Sequence, residues 1–131
     1  MNINKFTKNS IEAVQNCEKL AYEYGNQMMD QEHLLLALLQ LDDSLISKLI
    51  EKMEIDLEHF TDNVINAVGR ISKVKGGNLY YSQDLNKALV SAEDELKIMG
   101  DEYVSVEHLF LTLLKYPNKA LKALFNEYGI T

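Results

Sequence analysis

The stretch DQEHLLLALL, which runs from Asp30 to Leu39, decides the fold because a close copy of it recurs later in the chain. The copy, SVEHLFLTLL, runs from Ser105 to Leu114, 75 positions further on. At the same offset Thr7 matches Ser82, Gly25 matches Gly100 and Ile50 matches Phe125, with no gap in between. An offset that keeps apolar residues on apolar residues over so long a stretch predicts an internally duplicated domain.

The composition is that of a single acidic domain. The chain has 131 residues, of which 47% are hydrophobic and 25% are charged, enough to build one core. The formal net charge of −7 argues against nucleic-acid binding, which needs concentrated Lys and Arg. The single cysteine, Cys17, cannot form an internal disulfide, so we expect a packing residue in a reducing, cytoplasmic setting. No apolar run reaches the length of a membrane span.

Apolar residues recur at helical spacing through both copies, which predicts an all-α fold. Each copy opens with an amphipathic helix that ends at a glycine, Gly25 or Gly100, where a left-handed cap is favoured. The central helix follows an N-cap residue, Asp30 or Ser105, and is apolar on nearly every side, so it should be buried. Further helices are predicted at 45–53, at 57–69 and, after Pro117, at 121–128.

The duplication predicts one domain over 1–131, with repeat one at 1–69, a linker at 70–80 and repeat two at 81–131. Each repeat should hold about four helices. The linker contains Gly76-Gly77 but no Lys-Ser or Lys-Thr at the spacing of a phosphate loop. Because Thr131 matches Asp56, the partner of the fourth helix would lie beyond position 131, and we expect the chain to be a fragment of a longer protein.

The histidines do not predict a metal centre. His33 and His108 each follow a glutamate at a helix start, but neither has the second histidine one turn later that a zinc helix supplies. We expect both imidazoles to lie in the first turn of a buried helix, and His59 to lie on the surface. No catalytic arrangement of Ser, His and Asp or of Cys and His is indicated, so the sequence predicts a domain without an active site, metal or cofactor.

Glu32 and Glu107 allow two interpretations. Each lies in the first turn of a central helix, where free backbone N–H groups and the helix dipole favour a negative charge by about 0.3–1 kcal/mol. That stabilisation could be their whole role. Alternatively, each corner binds a ligand whose cationic group meets the carboxylate while an anionic group meets the N–H groups. Thr7 and Ser82, at matching places before the first helices, could add hydroxyls, and duplication would give two equivalent sites.

Three stretches carry a resemblance to a known family. MNINKFTKNSIEAVQNCEKLAYEYGNQMMDQEHLLLALL, YYSQDLNKAL and DEYVSVEHLFLTLL resemble the N-terminal domain of Clp ATPases, and the second of them favours the ClpB type over the ClpC type. The resemblance covers the whole chain. It implies a non-catalytic helical domain of a protein disaggregase, joined to a hexameric ring whose modules bind ATP and Mg²⁺ and hydrolyse the ATP.

The same resemblance implies partners and site residues. In ClpB-type domains, residues matching Thr7, Asp101 and Glu107 handle client proteins, and an apolar groove between the copies, to which Leu89 would contribute, contacts extended polypeptide. In ClpC-type domains, residues matching Glu32 and Glu107 bind phosphoarginine, which with Ser82 defines the alternative site. The expected partners are unfolded or aggregated proteins, with adaptor docking or a purely structural role as alternatives. We expect a monomeric, cytoplasmic domain without membrane contact.

Overall fold

The computed structural model describes residues 2–130, and in that range helices dominate as the sequence predicts. A short 3-10 helix, Ile3–Lys5, precedes the first α-helix. The α-helices are α1 Lys8–Tyr24, α2 Gln31–Gln40, α3 Leu45–Lys52, α4 Leu57–Gly69, α5 Gln83–Met99, α6 Val106–Lys115 and α7 Lys119–Glu127. No helix among these residues is long and apolar enough to cross a membrane.

The two opening helices confirm the duplication. α1 and α5 each have 17 residues and begin 75 positions apart. Thr7 and Ser82 cap them by accepting a hydrogen bond from the N–H group three residues along. Gly25 and Gly100 end them with φ of 72° and 71°, a left-handed conformation that glycine adopts at little cost.

The central helix of repeat one lies in the middle of the molecule. Every residue of α2 from Gln31 to Leu39 is buried, which confirms the prediction made from its all-round apolar character. α2 contacts every other α-helix of repeat one and the three helices of repeat two. Since α6 contacts α1 and α3 as well, one continuous core serves both repeats.

Two short strands join the repeats, and the sequence analysis did not predict them. β1, Met28–Met29, pairs in parallel with β2, Tyr80–Tyr81. The matching residues Phe6 and Val104 form an equivalent parallel bridge, in which the Thr7 N–H donates to the Val104 carbonyl at 2.9 Å. Strands of two residues are too short to show an alternating pattern. Each bridge pairs one repeat with the other.

The fourth helix breaks the symmetry. α4 has no counterpart in repeat two among residues 2–130, and it packs against α2, α3 and α7. His59, on α4, is exposed as predicted, but its ring lies edge-on to Tyr128 with the centroids 5.7 Å apart. The proposed repeat boundaries at 69 and 81 stay a prediction.

Candidate functional site

Three helix N-termini meet at an open corner of the molecule. Their N-cap residues Thr7, Ser44 and Ser105, which begin α1, α3 and α6, line one cleft of about 370 Å³. Glu107 lies exposed in the same cleft. The remaining lining residues are Lys8, Asn9, Leu41, Asp42, Asp43, Leu45 and Val106. Converging N-termini present unpaired backbone N–H groups, so this corner offers donors as well as carboxylates.

The open corner is acidic. Three carboxylates, Asp42, Asp43 and Glu107, line it together with one lysine, Lys8. The Lys48 ammonium lies 2.6 Å from Asp43, and this hydrogen bond and charge lower the pKa of the Asp43 carboxyl. Asp43 therefore stays ionised and paired with Lys48, so Asp42 and Glu107 are the carboxylates that a cationic group entering the cleft would meet.

The second corner has the same plan but is filled by its own side chains. Its N-cap residues Asp30, Ser82 and Asn118 begin α2, α5 and α7. The Ser82 hydroxyl donates to the Asp30 carboxylate at 2.7 Å. The Asn118 amide donates to the Glu32 carboxylate at 2.6 Å, and Glu32 is only 5% exposed. The two corners are therefore not equivalent in this structure, and ligand binding at either of them stays a prediction.

Gln31 adds a second set of hydrogen bonds at the filled corner. Its amide nitrogen donates to the carbonyl of Tyr116 at 3.0 Å and to that of Asp84 at 3.1 Å. Its amide oxygen accepts from the backbone N–H of Asn118 at 2.7 Å. Gln31 is fully buried, so these bonds hold the turn between α6 and α7 against the start of α2.

Two substitutions between the repeats explain why one corner is open. Asp43 stands where repeat two has Asn118, and Val106 stands where repeat one has Gln31. An amide can donate a hydrogen bond to a neighbouring glutamate, whereas a carboxylate repels it. The side chain of valine cannot form a hydrogen bond to the turn that faces it. The corner that carries Asp43 and Val106 consequently stays open.

Burial affects the titration of Glu32. Removal from water raises the pKa of its carboxyl, and the negative charge of Asp30 raises it further. The hydrogen bond from Asn118 opposes both effects by favouring the charged form. Glu107, its counterpart at the open corner, is exposed to solvent. The two glutamates that look alike in the sequence therefore have different surroundings.

His33 and His108 lie in the first turn of their helices, as expected from the sequence, and both also cap the helix start. Nδ1 of His33 and of His108 each accepts the backbone N–H of the helix N-cap residue at 2.9 Å. Their Nε2 atoms lie 2.9 Å from Asn26 and Asp101, respectively. Burial lowers the pKa of the His33 imidazole. His108 connects the half-exposed Asp101 to Ser105, so Asp101 supports the open corner from outside it.

The structure separates the remaining predicted residues. Thr7 and Glu107 lie together at the open corner, while Ser82 and Glu32 lie at the filled one. Leu89 is 1% exposed and packs in the core, so it cannot contact a polypeptide at the surface, and its expected place in a groove needs correction.

An apolar cleft between the repeats involves different residues. Val14, which matches Leu89, lines a cleft of about 130 Å³ with Ile3, Phe6, Ile11 and Tyr81, and Gln15 and Glu18 complete the lining. The family resemblance implies an apolar groove between the copies, but sequence reasoning did not name these residues. A signal was available, because Ile3 and Ile11 are apolar while their counterparts in repeat two, Asn78 and Asn86, are polar. Asp42 and Asp43 were also missed, although they replace Pro117 and Asn118 in the alignment of the repeats.

Known proteins share both the sequence and the fold. The chain is 36% identical over 122 residues to the chaperone protein ClpB of Nitratidesulfovibrio vulgaris. The aligned stretch covers 89% of this chain and 14% of the chaperone. The chain thus spans about one seventh of that relative's length. The Hsp104 N-terminal domain from Candida albicans superposes with a TM-score of 0.86 at 22% identity, covering 97% of this chain and 83% of that one.

A peptide complex has the same fold. The ClpV N-domain in complex with a VipB peptide superposes with a TM-score of 0.76 at 22% identity, covering 98% of this chain and 81% of that one. A family model described as the Clp repeat N-terminal domain matches residues 5–128, nearly the whole chain. The chain belongs to the Clp repeat N-terminal domain family.

Proposed function

We propose that this domain binds unfolded or aggregated polypeptide and helps deliver it to the ATPase ring of its chaperone for disaggregation. The observation that carries the proposal is the open corner, where the N-termini of α1, α3 and α6 meet beside Asp42, Asp43 and Glu107. A basic side chain of the client would meet Asp42 and Glu107, since Asp43 is paired with Lys48. The carbonyl groups of its backbone would meet the free N–H groups of the helix starts.

The apolar cleft and the open corner are lined by residues that are neighbours in the sequence. Phe6 lines the apolar cleft and Thr7 lines the open corner. An extended segment crossing these two residues could place an apolar side chain in the cleft and a basic one in the corner. A cleft of about 130 Å³ holds little more than one side chain, so binding would be weak. Weak binding suits a domain that must release its client to a motor.

The fold is compatible with peptide binding. The ClpV N-domain, which shares it, forms a complex with a VipB peptide. For this chain the acidic corner adds a preference for basic over acidic segments, because like charges facing each other are destabilising. Delivery to the ring, hexamer assembly and a cytoplasmic location belong to the proposal for the whole chaperone.

The test is an NMR titration of the ¹⁵N-labelled chain with a short unfolded peptide of leucine and arginine. We expect shifts at Thr7, Ser105 and Glu107, and we expect Glu107→Gln to weaken binding about threefold to tenfold. Glu102→Gln removes an exposed carboxylate that does not line the corner and should leave the affinity unchanged. Shifts confined to other surfaces, or equal effects of the two variants, would exclude this site.

A phosphoarginine reader is the alternative that the same experiment separates. Free phosphoarginine should act at Glu107 alone if it binds, because Asn118 already occupies the carboxylate of Glu32 and Ser82 is bonded to Asp30. Shifts at both glutamates with phosphoarginine and none with the peptide would replace client binding by recognition of modified proteins. In the whole chaperone, Asp101→Ala and Glu107→Ala should both slow disaggregation.

A further inference from the structure

A basic groove crosses the surface between α4, α7 and the segment that links the repeats. Its first part, of about 400 Å³, has an apolar floor of Ala67, Ile71, Ala120 and Ala123. Arg70 and Lys119 stand exposed at its rim. None of its lining residues belongs to the open corner. The groove is therefore a separate surface.

The groove continues past Arg70 and Ile71 into a second cleft of about 370 Å³. This part adds three apolar side chains, Met28, Val74 and Tyr80, of which Val74 is 49% and Tyr80 52% exposed. Because Arg70 and Ile71 line both clefts, the two parts adjoin and form one continuous surface. Large apolar side chains left half-exposed along such a surface are typical of a binding site.

The exposed charged residues that line this groove are cationic, although the domain as a whole is acidic. The net charge is −7, yet no acidic residue occurs between Asp62 and Asp84 or between Glu107 and Glu127. These two stretches supply the rim residues Arg70 and Lys119, and also the exposed Lys73, Lys75 and Lys122, which line neither cleft. The salt bridges between described residues involve Lys48, His108 and Lys115, so the cations of the groove are not neutralised by an ion pair there.

A carboxylate also lines the groove, and its bonding limits its influence. Glu32 lies beside the first cleft, but it is only 5% exposed and accepts a hydrogen bond from Asn118 at 2.6 Å. The rim that an entering ligand meets is therefore cationic, while the floor is apolar. Such a surface fits an anionic ligand that also carries apolar groups.

We propose that this groove binds an extended polypeptide segment in which Asp or Glu side chains alternate with apolar ones. In an extended segment every second side chain could pack on the apolar floor, while the carboxylates between them stay at the mouth of the groove, where Arg70 and Lys119 are exposed. Together with the acidic open corner, the domain would then hold oppositely charged segments at two separate places. The proposal does not depend on client binding at the open corner.

The probe is a short synthetic peptide in which Glu alternates with Leu, titrated into the ¹⁵N-labelled chain. We expect shifts at Arg70, Ile71, Val74 and Lys119, and weaker binding as salt is added. Arg70→Gln with Lys119→Gln should weaken binding about threefold to tenfold. The matched control, Lys52→Gln with Lys97→Gln, removes two exposed cations elsewhere and should change the affinity less than about twofold.

Two further probes decide what the groove recognises. A peptide with Lys in place of Glu should leave the groove signals unshifted, whereas equal binding of both peptides would overturn the charge argument. A single-stranded oligonucleotide that shifts the groove while the acidic peptide does not would overturn the proposal in favour of a nucleic-acid surface. Shifts confined to the open corner with the acidic peptide would overturn it as well, without affecting the test with the basic peptide.

Discussion

At the scale of single residues, burial separates side chains that the duplication makes equal. Glu32 and Glu107 occupy matching positions, but Glu32 is buried and bonded to Asn118, while Glu107 is exposed at the open corner. His33 and His108 also match, and both cap their helices, but one pairs with Asn26 and the other with Asp101. The neighbours that face each residue, rather than the residue itself, set its chemistry.

Glu32→Gln should stabilise the protein near neutral pH by about 1 kcal/mol, because it removes a buried charge and keeps an oxygen for Asn118. The folded-state pKa of Glu32 is raised. At pH values just above the ordinary carboxyl pKa, this residue therefore holds more protons in the folded state than in the unfolded state. The wild type therefore gains stability relative to the variant as pH falls. By about pH 4 the difference should vanish.

Urea denaturation across that pH range measures the effect. Glu107→Gln is the matched control, since the same substitution at the exposed position should change the free energy of unfolding by less than about 0.5 kcal/mol. A Glu32→Gln variant that is less stable than the wild type at pH 7 would mean that the negative charge is needed for the hydrogen bond from Asn118.

At the scale of elements, the contacts of helix N-termini decide which corner is accessible. Each corner joins the start of a central helix, the start of an opening helix and the turn before a third helix. At the filled corner Gln31 ties α2 to the turn between α6 and α7. At the open corner the side chain of Val106 cannot form a hydrogen bond to the turn between α2 and α3. One buried amide thus distinguishes a structural corner from a surface that can bind.

Gln31→Val gives the filled corner the residue that the open corner has at the matching position, Val106. This substitution should lower the free energy of unfolding by about 2–5 kcal/mol. The substitution leaves the carbonyl groups of Asp84 and Tyr116 and the N–H of Asn118 without their partner. Hydrogen exchange at the Asn118 amide should accelerate by more than the global change in stability requires.

The control for this variant is Val106→Ala, which also alters the first turn of a central helix. Its effect should come from lost packing alone, about 1–2 kcal/mol, with Asn118 exchange changing only in step with global stability. If Gln31→Val left the Asn118 amide as protected as in the wild type, the amide of Gln31 would not be what holds the turn.

At the scale of the whole molecule, the repeats depend on each other. Phe6 of repeat one bridges to Val104 of repeat two, and Tyr81 of repeat two pairs with Met29 of repeat one. α2 and α6 also pack against one another in a shared core. A single repeat would expose both its bridging strand and the apolar face of its central helix, which costs more than its own contacts can supply.

Fragments 1–75 and 76–131 should therefore not fold when expressed separately. Each alone should show a poorly dispersed ¹⁵N spectrum and no cooperative urea transition, and mixing them should restore both features. The intact chain should unfold in a single transition. A fragment that unfolded cooperatively by itself would show that the core is not shared as the contacts indicate.

The sequence by itself determined the helices, their caps and the duplication. Gly25 and Gly100, the N-cap residues and the apolar central helix are local signals, because a helix start and a left-handed end depend on residues close together in the chain. A constant offset of 75 then related the two halves without any coordinates. The burial of α2 followed from its all-round apolar composition, since such a helix has no face for water.

Only the tertiary structure decided which surfaces face solvent. Leu89 and Val14 match in sequence and both belong to the core, yet only Val14 also lines the cleft between the repeats. The filling of one corner depends on Gln31 and Asn118, which are 87 residues apart. The basic groove likewise brings together Arg70 and Lys119. Such contacts arise from how the helices pack, and no local pattern encodes which distant residue comes to lie opposite a given side chain.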